Sequence, residues 1–157
     1  MRNAVVIVCA IAATALVGGD GQTGLAQEQT NKKLVPSQVF QPPFPYSLGF
    51  VTQGKRTVYV AGQVPVNEKG ELVGKDDPEA QARQVFINMK GVLAAAGAKM
   101  DDVVKITTII KNSADFPKIG AVRKEFFKEP YPAGTTFIAP LLDPNWLLEV
   151  EAIAVLD

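Results

Sequence analysis

The chain has 157 residues, 16 basic and 16 acidic, with no histidine and a single cysteine. Such a length fits one ordinary domain, and with a formal net charge of zero and no run of lysine and arginine, nucleic-acid binding has little support. Without histidine, proton transfer falls to carboxylates, tyrosines or water, and zinc sites built on the usual Cys and His ligands are excluded once Cys9 is set aside.

In chain order, Met1-Arg2-Asn3 precedes an apolar run from Ala4 to Gly18, and Gly24-Leu25-Ala26 then places small residues where a signal peptidase reads. This is the outline of a secretory signal peptide over residues 1–26. The apolar run is shorter than the roughly 20 residues a membrane span needs, with an uncleaved anchor as the alternative. Cys9 lies within it, so cleavage after Ala26 leaves neither cysteine nor histidine. The expected location is periplasmic or secreted, without stable membrane association after cleavage. Residues 27–43 are polar and proline-containing and read as a flexible arm; residues 44–157 read as the folded domain.

Thr57-Val58-Tyr59-Val60-Ala61-Gly62 has strand composition, and Asn67-Glu68-Lys69-Gly70 supplies a turn between Val64-Pro65-Val66 and Leu72-Val73. Asp77 is a good N-cap, Pro78 suits the first helical position, and Gly97 suits the residue past the end. Between them Ala82, Val85, Phe86, Met89, Val92, Leu93 and Ala96 form one apolar stripe. Val103 to Ile110 predicts a central strand, and Ser113 or Asp115 predicts the cap of a second helix reaching about Lys128. Thr135 to Ala139 and Leu147 to Leu156 predict two closing strands, with Trp146 a rim or core anchor in the final hairpin. The order gives an α+β fold, a mixed sheet with two helices on one face. The other face needs cover, most simply from further copies of the chain.

Five segments carry a resemblance to a known family. They are Phe44-Pro45-Tyr46-Ser47, Ala61-Gly62-Gln63-Val64-Pro65, Gln81-Ala82-Arg83-Gln84 with Asn88, Lys90 and Ala95-Ala96-Gly97, then Pro132-Ala133-Gly134-Thr135-Thr136 and Glu149-Val150-Glu151-Ala152-Ile153-Ala154. In collinear order they resemble the Rid family (RidA/YjgF, reactive enamine/imine deaminases). The resemblance implies a chorismate-mutase-like fold, a homotrimer with three ligand clefts between subunits, and hydrolysis of 2-imino or 2-enamino acids to 2-keto acids and ammonia. No cofactor and no metal are implied.

Carried over residue by residue, Glu149 matches the water-holding glutamate and Tyr46 a cleft-lining tyrosine, although Tyr46 suits packing at the domain entrance equally well. Ala61 replaces a serine, Gly120 an asparagine, and Gly134 the arginine that binds the substrate carboxylate. Thr135, the small hydroxyl residue of the signature, joins the same substrate-binding set. Arg123 lies three residues after Gly120, so both project from one side of the helix. If Gly120 and Gly134 border one cavity, Arg123 enters it and supplies a displaced guanidinium; the alternative is a subunit or surface contact. Alternation puts Glu149 and Glu151 on one strand face, where either also reads as an ordinary charge. Gly62 and Gln63 read as strand-end geometry, and Asp101-Asp102 as a solvated loop pair. Two functions follow: a deaminase-type hydrolase with altered substrate choice, or a non-catalytic trimer that binds small ligands. A ribonuclease, the family's older label, fits poorly with neutrality and absent histidine.

Overall fold

A computed structural model describes residues 32–34, 49–51 and 56–157. The expected signal peptide and Tyr46 lie outside the described residues, as does most of the expected arm. Within that arm, however, Lys32–Leu34 (β1) pairs antiparallel with Gly49–Val51 (β2), so this stretch of it is strand rather than free linker.

β3 spans Arg56–Gln63. The turn after it is built by Asn67, whose Oδ1 accepts from the backbone N–H groups of Lys69 (2.9 Å) and Glu71 (3.0 Å). Gly70 there has φ +78°, open to glycine without strain. Helix α1, Pro78–Ala95, begins as expected: the Asp77 carboxylate accepts from the N–H groups of Glu79 and Ala80 at 3.0 and 3.1 Å. Next come β4 (Val103–Ile110), α2 (Phe116–Phe126), β5 (Ala133–Ile138) and β6 (Leu148–Leu156). Neither Ser113 nor Asp115 caps α2 through its side chain; Ser113–Asp115 is a 3-10 turn leading directly into the helix. The helix also ends at Phe126, short of Lys128.

The main sheet has the order β3-β6-β4-β5. β6 is antiparallel to both β3 and β4, whereas β4 and β5 are parallel. This corrects the expected final hairpin: β5 and β6 do not pair, because β4 lies between them. Parallel neighbours need a crossover, and α2 provides it. α1 likewise links β3 to β4, leaving a slot that β6 fills at the end of the chain.

One face of the sheet is packed beneath the helices. Ile106 and Ile110 of β4 and Leu148, Val150 and Ala152 of β6 meet Val85, Phe86, Met89 and Leu93 of α1 with Ile119, Val122 and Phe127. Phe86 joins the two helices, with its ring centroid 5.3 Å from Phe126 and 5.7 Å from Phe127, the latter edge-on. Val92, assigned to the apolar stripe, is instead exposed at the helix margin. The opposite face carries Tyr59, Thr107, Ile109, Glu151 and Ile153, with no helix over it among the described residues. There Tyr59 and Phe137 are 76% and 55% exposed.

The polar positions of the Gln81–Asn88 motif anchor loops. The buried Gln81 amide donates to the carbonyls of Gly74 (3.1 Å) and Asn145 (2.9 Å), while its Oε1 accepts from Leu147 N–H (2.7 Å). Asn88 donates to the carbonyls of Val64 and Val66 at 3.0 and 2.8 Å and accepts from Gln84 at 2.7 Å. Because Gln81→Leu leaves the buried Leu147 N–H without its partner and removes the bonds to the Gly74 and Asn145 carbonyls, it is expected to lower the unfolding free energy by about 1–3 kcal/mol. Urea titration checks this, with a shifted midpoint at unchanged slope.

Candidate functional site

Glu149 lies on β6 opposite Ile109 of β4, and Glu151 opposite Thr107. Their alternation with buried Leu148, Val150 and Ala152 turns both carboxylates to the helix-free face. Register between β3 and β6 breaks between Val60 and Gln63, and the break brings Gly62 against Glu149. A β-carbon at Gly62 would overlap the Glu149 carboxylate, Oε1 first and then Cδ. Gly62 thus does more than shape a strand end: its bare Cα is the seat of the carboxylate. Ala61 is exposed beside it, its carbonyl accepting from Gln63 Nε2 at 3.0 Å.

β5 divides the remaining candidates. Gly134 pairs with Ile106, whose side chain points into the core beneath the helices, so Gly134 faces the helix layer. Thr135 pairs with Thr107 and faces the other way, its hydroxyl accepting from Lys105 Nζ at 2.6 Å. Adjacent residues of a strand cannot share a face. Ala61, Thr135 and Glu149 therefore belong to the helix-free surface, and Gly134 to the helix layer with Gly120 and Arg123 of α2. Among the described residues of one copy, these positions do not share one face of the sheet. Lys105 is the polar residue on the helix-free face that sequence reasoning passed over. Its only sequence signal was alternation with Thr107 along β4.

The helix layer holds an unusual cation. Ile119, Val122 and Arg123 are the inward-turned residues of α2. Arg123 is 8% exposed, and its Nε and Nη2 are buried without a hydrogen-bond partner. Its guanidinium carbon sits 5.9 Å from the Phe127 ring centroid, a cation–π arrangement. Burial lowers its pKa to about 10, with Tyr131 acting in the opposite sense, so it stays charged at neutral pH. This is no surface contact. One turn earlier, a β-carbon on Gly120 would meet nothing within 4 Å.

Two further candidates remain. Asp102 Oδ2 accepts from Lys99 N–H at 2.7 Å, so one member of the loop pair ties the turn before β4. Trp146 is half-buried in the connection from β5 to β6. Among the described residues no group of three or more His, Cys, Asp or Glu is placed to hold a metal ion.

Comparison with known proteins finds relatives over most of the chain. Residues 36–156 match the family described as Endoribonuclease L-PSP. A 2-iminobutanoate/2-iminopropanoate deaminase of Dermatophagoides farinae is 42% identical over 117 residues, covering 74% of this chain and 90% of that protein. The protein of the same name from Escherichia coli is 37% identical, covering 71% and 91%. Among solved structures, the Rid-family protein YyfB of Yersinia pestis, of unknown function, superposes with a TM-score of 0.73 at 37% identity, covering 80% of this chain and 98% of that one.

Proposed function

Given that this chain belongs to the Rid (YjgF/L-PSP) family, whose named relatives include imine deaminases, we propose that it is an exported, deaminase-like hydrolase of small imines or enamines. Its substrate choice is altered because Gly134 stands where the carboxylate-binding arginine belongs. The observation that carries the reading is Glu149, held against the bare Cα of Gly62 on the helix-free face.

The chemistry this arrangement supports is hydrolysis with Glu149 as general base. Glu149 orients a water and takes its proton as the oxygen adds to the imine carbon, giving a tetrahedral amino-alcohol. For a protonated imine, returning that proton to nitrogen makes it a leaving group, and Glu149 takes the hydroxyl proton as the C–N bond breaks, so that a carbonyl forms and ammonia departs with the proton Glu149 then holds. The division of candidates between two sheet faces fits a cleft completed by a second copy, as in the homotrimer expected for the family. The uncovered apolar residues Tyr59 and Phe137 also favour such an assembly. Export rests on the Ala4–Gly18 run and the small residues before Gln27, and N-terminal sequencing of the secreted protein is expected to begin at Gln27.

A coupled assay tests the activity. Purified protein is expected to accelerate hydrolysis of freshly generated 2-iminobutanoate. Absence of acceleration with any imine, alongside stabilisation by small apolar molecules, would select the non-catalytic binding trimer instead. Formal neutrality and the absence of histidine speak against a ribonuclease.

A further inference from the structure

A buried guanidinium without a hydrogen-bonded partner is costly, because its desolvation is not offset. In Arg123 two of the three guanidinium nitrogens, Nε and Nη2, are buried and unpartnered, and the guanidinium carbon lies 5.9 Å from the Phe127 ring centroid. The carboxylate nearest in its own helix, Glu125, is engaged elsewhere, accepting from Arg83 Nε at 3.0 Å. Such a group needs an explanation, and a ligand anion is the chemistry that fits it.

Topology shows where that anion would sit. α2 joins the parallel strands β4 and β5, so the crossover carries it back toward the end of the sheet at which both strands begin. Arg123 is in the last turn of α2. Gly134 is the second residue of β5 and faces the helix layer through its pairing with Ile106. The cation and the missing side chain thus share one layer and one end of the sheet. Gly120, with open space where a β-carbon would be, adds room on the same helix.

We infer that Arg123 is the carboxylate anchor of this protein, binding a short 2-keto or 2-imino acid from the helix side next to Gly134. The identity of the bound acid rests on the proposed deaminase function; the anion site itself does not. Arg123 sets specificity without taking part in proton transfer, which stays with Glu149.

The test uses the full assembled protein, with 2-oxobutanoate as the charged probe and 2-butanone as its neutral counterpart. Binding of each is measured by calorimetry for the wild type, Arg123→Met and Arg123→Lys. The expected result is a loss of 2-oxobutanoate affinity on the order of 30-fold or more in Arg123→Met, partial retention in Arg123→Lys, and unchanged 2-butanone binding. Equal 2-oxobutanoate affinity in wild type and Arg123→Met overturns the inference, as does a wild type that does not bind the acid. If Arg123→Met fails to fold, Arg123→Lys decides: unchanged affinity for the acid, with the bidentate geometry lost, also overturns it. The two proposals separate cleanly. Arg123-dependent binding without imine hydrolysis leaves the anchor and removes the deaminase, whereas hydrolysis with a KM indifferent to Arg123 does the reverse.

Discussion

Glu149→Gln is expected to lower kcat for imine hydrolysis by about 100- to 1,000-fold, the range typical of losing a positioned general base, with KM changed less than about threefold. Glutamine has nearly the shape of glutamate, so it still fits against Gly62, and only the capacity to accept the proton of water is removed. Gly62→Ala makes the complementary change. It keeps the carboxylate but drives it from its seat, since the new methyl would occupy the space of Oε1 and Cδ. Both variants should therefore lose turnover, for different reasons, while binding of 2-oxobutanoate persists in Glu149→Gln. Steady-state assays with a melting curve for each variant check this. Full turnover in Glu149→Gln would mean that another group activates the water, and Lys105 with Thr135 on the same face would be the next residues to replace.

The parts of this protein legible in its sequence are those governed by local rules. Asp77 caps α1 because a carboxylate one residue before a proline-led helix has two free N–H groups within reach. β4 alternates because both its faces are set by period two. What failed was non-local. Nothing in residues 133–156 announces that β4 will lie between the last two strands, so the hairpin expectation had no local signal against it. Asp115 looked like a cap, yet its backbone is already helical, at φ −83° and ψ −15°, because the preceding 3-10 turn takes over the entry. The site misled for a related reason. Gly134 and Thr135 read as one motif along the chain, but strand geometry sends them to opposite faces. Arg123 falls on the wheel with Ile119 and Val122, and only the rarity of buried arginine argued against placing it inside. The Gln81–Asn88 motif showed the opposite case: its polar residues were legible as family marks, while their work as loop anchors required the folded chain.

Restoring the absent side chain with Gly134→Arg is expected to raise kcat/KM for 2-iminobutanoate, but by an amount that depends on Arg123. A bidentate contact to an otherwise unpaired carboxylate is worth about 2–5 kcal/mol. In an Arg123→Met background, where α2 no longer turns a cation inward, Gly134→Arg should therefore gain on the order of 100-fold. With Arg123 present the carboxylate is already held, and two guanidinium groups beside one another repel until the anion binds. The gain should then fall to within about tenfold, and the two substitutions should be non-additive. β5 is an edge strand with exposed Thr136 and Ile138 on the same side as Gly134. Measuring kcat/KM for the four proteins of this cycle, on 2-iminobutanoate and on an imine without a carboxylate, isolates the coupling. Equal gains in both backgrounds would show that Gly134 and Arg123 serve different ligands. An effect confined to the charged substrate and shrunken by Arg123 is the pattern of one carboxylate site whose cation has moved from the strand to the helix above it.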